Sequence, residues 1–162
     1  MDWKWLFFSF EGRANRAKWW LTVLIFIILS AVIWLLILPI FGYTIWNVQA
    51  DPTATVLSIV ITLIFAYPAT AVMVKRLHDR NRPTWLAAVL WAPTVLTLLG
   101  QLTGVTVTAQ DIGGQTMMVP TTFGWIVNLA TLVIGIWAII ELGCLRGTAG
   151  PNQYGPDPLG RA

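Results

Sequence analysis

The chain has one cysteine and one histidine in 162 residues. Cys144 therefore has no intrachain partner for a disulfide. It follows the last apolar stretch on a side expected to be cytoplasmic, where a thiol stays reduced. A packing role is expected for it, ahead of juxtamembrane palmitoylation. His78 has no second histidine or neighbouring cysteine, so the three or four ligands of an ordinary metal site cannot be assembled. No nucleophile–base set and no phosphate loop can be read either. No catalytic residue, metal or cofactor is expected. Charge is equally scarce, since Asp, Glu, Lys and Arg make up 10% of the residues. That scarcity turns attention to where the few charges stand.

What the chain has in abundance is apolar sequence. Residues of the hydrophobic set account for 57% of it, and the mean hydropathy of +0.72 is too high for a typical soluble domain. Four apolar stretches are long enough to cross a bilayer, at about residues 19–41, 55–74, 85–102 and 123–142. If the termini share a side, all ten Lys and Arg residues fall on that side, and the two opposite loops carry only Asp51 and Asp111. This is the asymmetry of the positive-inside rule. The expected fold is an all-α integral membrane protein, a single domain over residues 1–162 built as a four-transmembrane-helix bundle with both termini cytoplasmic. The expected location is the inner (plasma) membrane, multi-pass. A cleavable signal peptide is not expected, because the first apolar stretch is longer than a signal core and lacks a small-residue cleavage site behind it. The net charge of +3 suits anionic lipid headgroups as partners. No RNA- or DNA-binding motif accompanies it, so nucleic acid is not an expected partner.

Local signals refine this frame. Trp3, Leu6, Phe7 and Phe10 have the spacing of one helical face at the membrane interface. Gly12 allows a turn, Arg13 and Arg16 lie one helical turn apart, and Trp19 and Trp20 mark the headgroup boundary. Pro39 and Gly42 end the first span, and Trp46 is a belt residue in the first outer loop. Pro68 and Pro93 predict kinks in the second and third spans. Lys75 through Pro83 reads as an inner loop, with Pro83 in the first turn of the third span and Trp85 beside it. The second outer loop alternates apolar and polar residues over 104–110, then has Asp111, Gly113 and Gly114 before 115–119. It reads as a short hairpin, with an irregular Thr-rich loop as the alternative. Trp125 anchors the outer end of the fourth span. The Gly- and Pro-rich tail predicts ordered turns. Gly100 and Gly104 have GxxxG spacing, but at a span end this is weak evidence for helix pairing.

Three polar segments, residues 12–18, 75–82 and 146–158, end on the same side of the bilayer. The bundle brings them over a small area, which predicts a compact polar cap of Arg13, Arg16, Arg76, His78, Asp79, Arg80, Asn152, Tyr154 and Asp157. Asp79 and Asp157 can hold Arg side chains, leaving other guanidiniums for lipid phosphate. Such a cap can lock the bundle ends, bind an anionic lipid headgroup, or dock a membrane-protein partner or a second copy of the chain. His78 is expected to make structural hydrogen bonds. Inside the spans, Glu141 is expected to pair with a cytoplasmic Arg, and Asn128 to hydrogen-bond across helices. The leading reading is a noncatalytic membrane protein whose cap engages anionic lipid or a protein partner. A small transporter or channel component, resting on Asn128, Glu141 and the prolines, is the first alternative. A membrane enzyme acting on a phosphate-bearing lipid, resting on His78 and Asp79, is the second.

Three motifs carry a resemblance to a known family. They are FEGRANRAKWW at residues 10–20, KRLHDRNRPTW at 75–85 and LRGTAGPNQYGPDP at 145–158. In this order, around four spans, the chain resembles the small bacterial inner-membrane family catalogued as domain of unknown function 805. The matching positions are Gly12, Arg13, Arg16, Trp20, Arg76, Leu77, His78, Asp79, Trp85, Asn152, Tyr154, Gly155, Asp157 and Pro158. The resemblance implies the location and the frame; it implies no particular chemistry. The chain departs from the family pattern at Lys75, where Arg is usual, at Asn15, where a small hydroxyl residue is usual, and at Pro83–Thr84, where Ser–Gly is common.

Overall fold

The computed structural model describes residues 2–40, 42 and 52–160. The expectations placed on Trp46, Asp51 and Arg161 lie outside the described residues. The chain opens with a short helix, α1 (Trp3–Phe8), started by Asp2, whose carboxylate accepts the Trp5 amide at 2.9 Å. Phe10 lies beyond this helix, so the expected aromatic face is shorter than its spacing suggested. Asn15 caps the next helix, α2 (Arg16–Val32), by accepting the Lys18 amide at 3.0 Å. Asn is as good an N-cap as a small hydroxyl residue, which accounts for the departure at this position. Because the cap falls at Asn15, Arg13 stands in the extended lead-in rather than one helical turn from Arg16. The first span runs on through a π-helical stretch (Ile33–Ile37) and a last turn, α3 (Leu38–Ile40).

The second span differs most from expectation. Helix α4 (Pro52–Asp79) has 28 residues, about 42 Å at 1.5 Å per residue, against a hydrocarbon core of about 30 Å. It therefore projects past the membrane, and Lys75, Arg76, His78 and Asp79 occupy its last turns rather than an inner loop. Helix α5 (Leu86–Thr103) is stopped by Gly104 in the left-handed conformation, φ +71°. Strand β1 (Val107–Ile112) then pairs antiparallel with β2 (Gln115–Pro120), from Val107 opposite Pro120 to Ile112 opposite Gln115. Gly113 and Gly114 both have positive φ, as a two-residue turn matching strand twist requires. The hairpin is present, and the irregular loop is not. Thr121 caps α6 (Thr122–Ala138), which continues as a π-helical stretch (Ile139–Cys144).

Four of these stretches are apolar and long enough to cross a membrane: Arg16–Leu36, Thr55–Asp79, Leu86–Thr103 and Thr122–Cys144. Their mid-span apolar side chains, among them Ile27, Ile28, Leu63, Leu129, Leu132 and Val133, face outward, as lipid contact demands. The tightest packing lies at one end. Val74, Leu77, Ala87 and Leu142 form a buried cluster flanked by Trp19, Met73, Leu86, Leu90 and Ala138. Gly143 packs there against the rings of Trp19 and Trp20, where a Cβ would come within 2.7–2.8 Å of them. Cys144 is exposed, so the packing expected of it is absent. Gly100 and Gly104 also have local explanations: Gly100 makes room for the Thr106 side chain, and Gly104 ends the helix.

Candidate functional site

The polar segments converge on the last turns of α4. Asp79 is 1% exposed and Arg13 4%, so their ion pair, 3.0 Å between Arg13 Nη2 and Asp79 Oδ1, is made almost without water. The other Asp79 oxygen takes the guanidinium of Arg76, one turn back on the same helix. Each cation also has carbonyl partners. Arg13 Nη1 donates to Gly150 O at 2.7 Å, and its Nη2 donates to Thr148 O at 2.6 Å. Arg76 Nε donates to Leu142 O at 2.6 Å, and its Nη2 to Leu145 O. These bonds tie α2's lead-in, the end of α4, the end of α6 and the tail together around one carboxylate. Gly147 lies so close to Asp79 that a Cβ there would meet the carboxylate.

His78 faces the other way from Asp79. Its Nδ1 is 3.2 Å from Gly12 O and its Nε2 2.9 Å from the Thr84 hydroxyl. A carbonyl only accepts, so in the neutral ring the proton sits on Nδ1 and Thr84 donates to Nε2. The imidazole stacks on Tyr154, with centroids 3.8 Å apart and planes 4° from parallel. Asn152 Nδ2 donates to His78 O and to the Thr148 hydroxyl, both at 2.9 Å, and its own Oδ1 accepts the Tyr154 amide. The tail is thus a set of ordered turns held on the end of α4. Asp157 accepts the Leu159 amide at 2.9 Å.

Two further polar groups complete this end. Glu141 is buried, and one of its oxygens accepts from Arg80 Nε at 3.3 Å and Arg82 Nε at 3.1 Å. Lys75 has no exposed surface. Its ammonium donates to Trp5 O, Leu6 O and Ser9 O at 2.5–2.7 Å, closing the carbonyl end of α1, and lies 4.4 Å from the Trp5 ring centroid. Lys75, Arg82, Thr84 and Thr148 were not among the expected cap residues. No residue-type signal pointed to Lys75, because its place beside α1 depends on α4 continuing through the basic segment. Arg16 and Arg146 stand apart from the closed network. Both are exposed, and with Asn15, Arg76, Asp79, Gly147 and Leu159 they line a cavity of about 190 Å³. Arg16 donates one long hydrogen bond, 3.4 Å to Cys144 O.

Asn128 does not behave as expected. It is exposed on α6, lines a cavity with Thr97 and Gln101 of α5, and makes no cross-helix hydrogen bond among the described residues. It lies near the outer end of the bundle, far from Glu141 at the inner end.

Fold and site together define a multi-pass membrane protein whose four spans are closed at the basic end by a buried Arg–Asp–Arg network. The basic end faces the cytoplasm, by the positive-inside rule. A family model described as "Protein of unknown function (DUF805)" matches residues 7–156, and the chain belongs to that family. Relatives in Escherichia coli strain K12 include the inner membrane protein YhaH, 27% identical over 93% of this chain and 87% of its own length. The uncharacterized protein YiiR is 30% identical over 95% of this chain and 88% of its own. The inner membrane protein YhaI is 26% identical over 93% and 86%. This chain is likewise a bacterial inner-membrane protein. No solved structure matches it.

Proposed function

We propose that this protein is a noncatalytic inner-membrane protein that binds an anionic lipid headgroup in the cleft between Arg16 and Arg146. The supporting observation is the contrast between two sets of arginines. Arg13 and Arg76 are enclosed, with Asp79 and backbone carbonyls occupying their donors. Arg16 and Arg146 are exposed at the rim of a cavity whose lining, among the described residues, carries three guanidiniums against the single carboxylate of Asp79. Trp20, one helical turn beyond Arg16 on α2, donates its indole N–H to Gly143 O at 3.1 Å at the same end of the bundle. Guanidiniums at that level meet the phosphates of the inner leaflet. A noncatalytic role is supported by His78, whose two ring nitrogens are engaged by Gly12 and Thr84 and whose face is covered by Tyr154.

Native mass spectrometry in mixed-lipid nanodiscs tests the proposal. Wild-type protein retains phosphatidylglycerol or cardiolipin in preference to phosphatidylcholine. Arg16→Gln and Arg146→Gln each weaken that preference about fivefold, the equivalent of about 1 kcal/mol per near-surface arginine. Equal retention of anionic and zwitterionic lipid by wild-type protein contradicts the proposal.

A further inference from the structure

At the opposite end of the bundle, α5, α6 and the hairpin enclose a second cavity of about 310 Å³. This is within the size range of small-molecule sites. Its polar lining includes Thr97, Gln101, Thr106 and Asn128, and Val107, Met118, Pro120 and Val127 supply apolar wall. Thr106 is wedged between the two helices, which carry glycines where it approaches: a Cβ on Gly100 would strike its side chain, and one on Gly124 its carbonyl. It is 5% exposed, and its hydroxyl is the one buried side-chain polar atom among the described residues without a hydrogen-bond partner. The Gln101 and Asn128 carboxamides likewise make no hydrogen bond among the described residues.

Asn128 is in the second turn of α6, and Gln101 is two residues before the end of α5. Both are exposed and border the cavity, so their carboxamides are available to a ligand there. Carboxamides and hydroxyls each donate and accept, so they match a ligand that does both. Among the described residues no Lys, Arg, His, Asp or Glu lines the cavity, which disfavours a charged group. We propose that this outer cavity binds an uncharged, hydroxyl-rich group of the size of a single sugar ring. The carboxamides of Gln101 and Asn128 read its hydroxyls, Thr106 holds the wall between the two helices, and Met118 and Val127 cover its C–H faces. The group can arrive on a glycolipid in the outer leaflet or as a free sugar. This site is independent of the arginine cleft at the other end.

The test uses the full chain in phosphatidylcholine nanodiscs, with glucosyl diacylglycerol as the lipid-borne probe and methyl glucoside as the free one. Native mass spectrometry reads retention of the glycolipid, and NMR of the side-chain amides of Gln101 and Asn128 reads both probes. Wild-type protein is expected to retain glucosyl diacylglycerol about tenfold or more over phosphatidylcholine, or to shift both amide signals saturably with methyl glucoside. The first result assigns a lipid source and the second a free sugar. The Gln101→Leu/Asn128→Leu variant, altered at two exposed positions, is expected to lose either response. Parity of the two lipids together with unmoved amide signals in wild-type protein overturns the proposal, and so does an undiminished response in a folded double variant. If that variant fails to fold, the wild-type comparison decides alone.

Discussion

Lys75 and Arg76 are neighbours on one helical turn, yet they hold different parts of the molecule. The ammonium of Lys75 meets three carbonyls at the end of α1, while the fork of Arg76 spans Asp79 and the end of α6. Lys75→Met leaves those three carbonyls without their donor and should cost about 3 kcal/mol or more, since a hydrogen bond to a charged group contributes about 1.5–3 kcal/mol. The loss should appear as a lower Tm in detergent, with faster proteolysis confined to the segment before Gly12. Asp79→Asn removes the charge shared by two buried guanidiniums and should cost about 3–5 kcal/mol. In a double-mutant cycle Asp79 and Arg13 should be strongly coupled. That Asp79 holds arginine was legible from the convergence of the polar segments, and Glu141 as a carboxylate near basic residues. The i, i+3 geometry of Arg76 and Asp79 was not, because it exists only once α4 continues through the basic segment. The partners of Lys75 were not legible, because its acceptors are backbone carbonyls made available only where α1 ends. Asn128 was misjudged for a related reason: a polar residue inside an apolar run shows that it needs a partner, not whether the protein supplies one.

At the scale of elements, the outer hairpin and the ends of α2 and α5 follow from local chemistry. Alternation over 104–110 and the Gly–Gly turn could be read before any packing was known, whereas the Asn15 cap and the Gly104 stop, seen in the sequence only as a departure from the family pattern and as a GxxxG spacing, became plain in the structure. The continuation of α4 through Lys75–Asp79 could not be read either, because basic residues mark where a membrane ends rather than where a helix ends. The π-helical stretches at Ile33–Ile37 and Ile139–Cys144 have no comparable signal in residue type. Gly113 and Gly114 are held at φ +65° and +80°. Replacing both with alanine should destabilise the turn by about 1–2 kcal/mol per residue. Amide hydrogen exchange should then accelerate in β1 and β2 while α4 keeps its protection. Gly143→Leu drives a side chain into Trp19 and Trp20 and should separate the start of α2 from the end of α6. Loss of the Trp20 indole hydrogen bond to Gly143 O would be visible in its NMR signal.

Across the whole molecule, stability is distributed unevenly along the membrane normal. The spans present apolar side chains to lipid over most of their length, while the buried side chains, charged and apolar alike, concentrate at the cytoplasmic end. That end fastens four segments distant in sequence, and the second cavity lies at the other end beneath the hairpin. The architecture was legible from the one-sided placement of cations, which hydrocarbon and the export machinery enforce together. Cysteine labelling in intact spheroplasts tests that placement most directly. In a Cys144→Ser background, single cysteines replacing Gln110 in β1, Arg82 after α4 and Gln153 in the tail are challenged with a membrane-impermeant maleimide. The account predicts labelling of Gln110→Cys alone, with Arg82→Cys and Gln153→Cys labelled only after the membrane is opened. Labelling of either of the latter two from outside would contradict it, because the Arg13–Asp79–Arg76 network and the tail that covers it could not then share one face of the membrane.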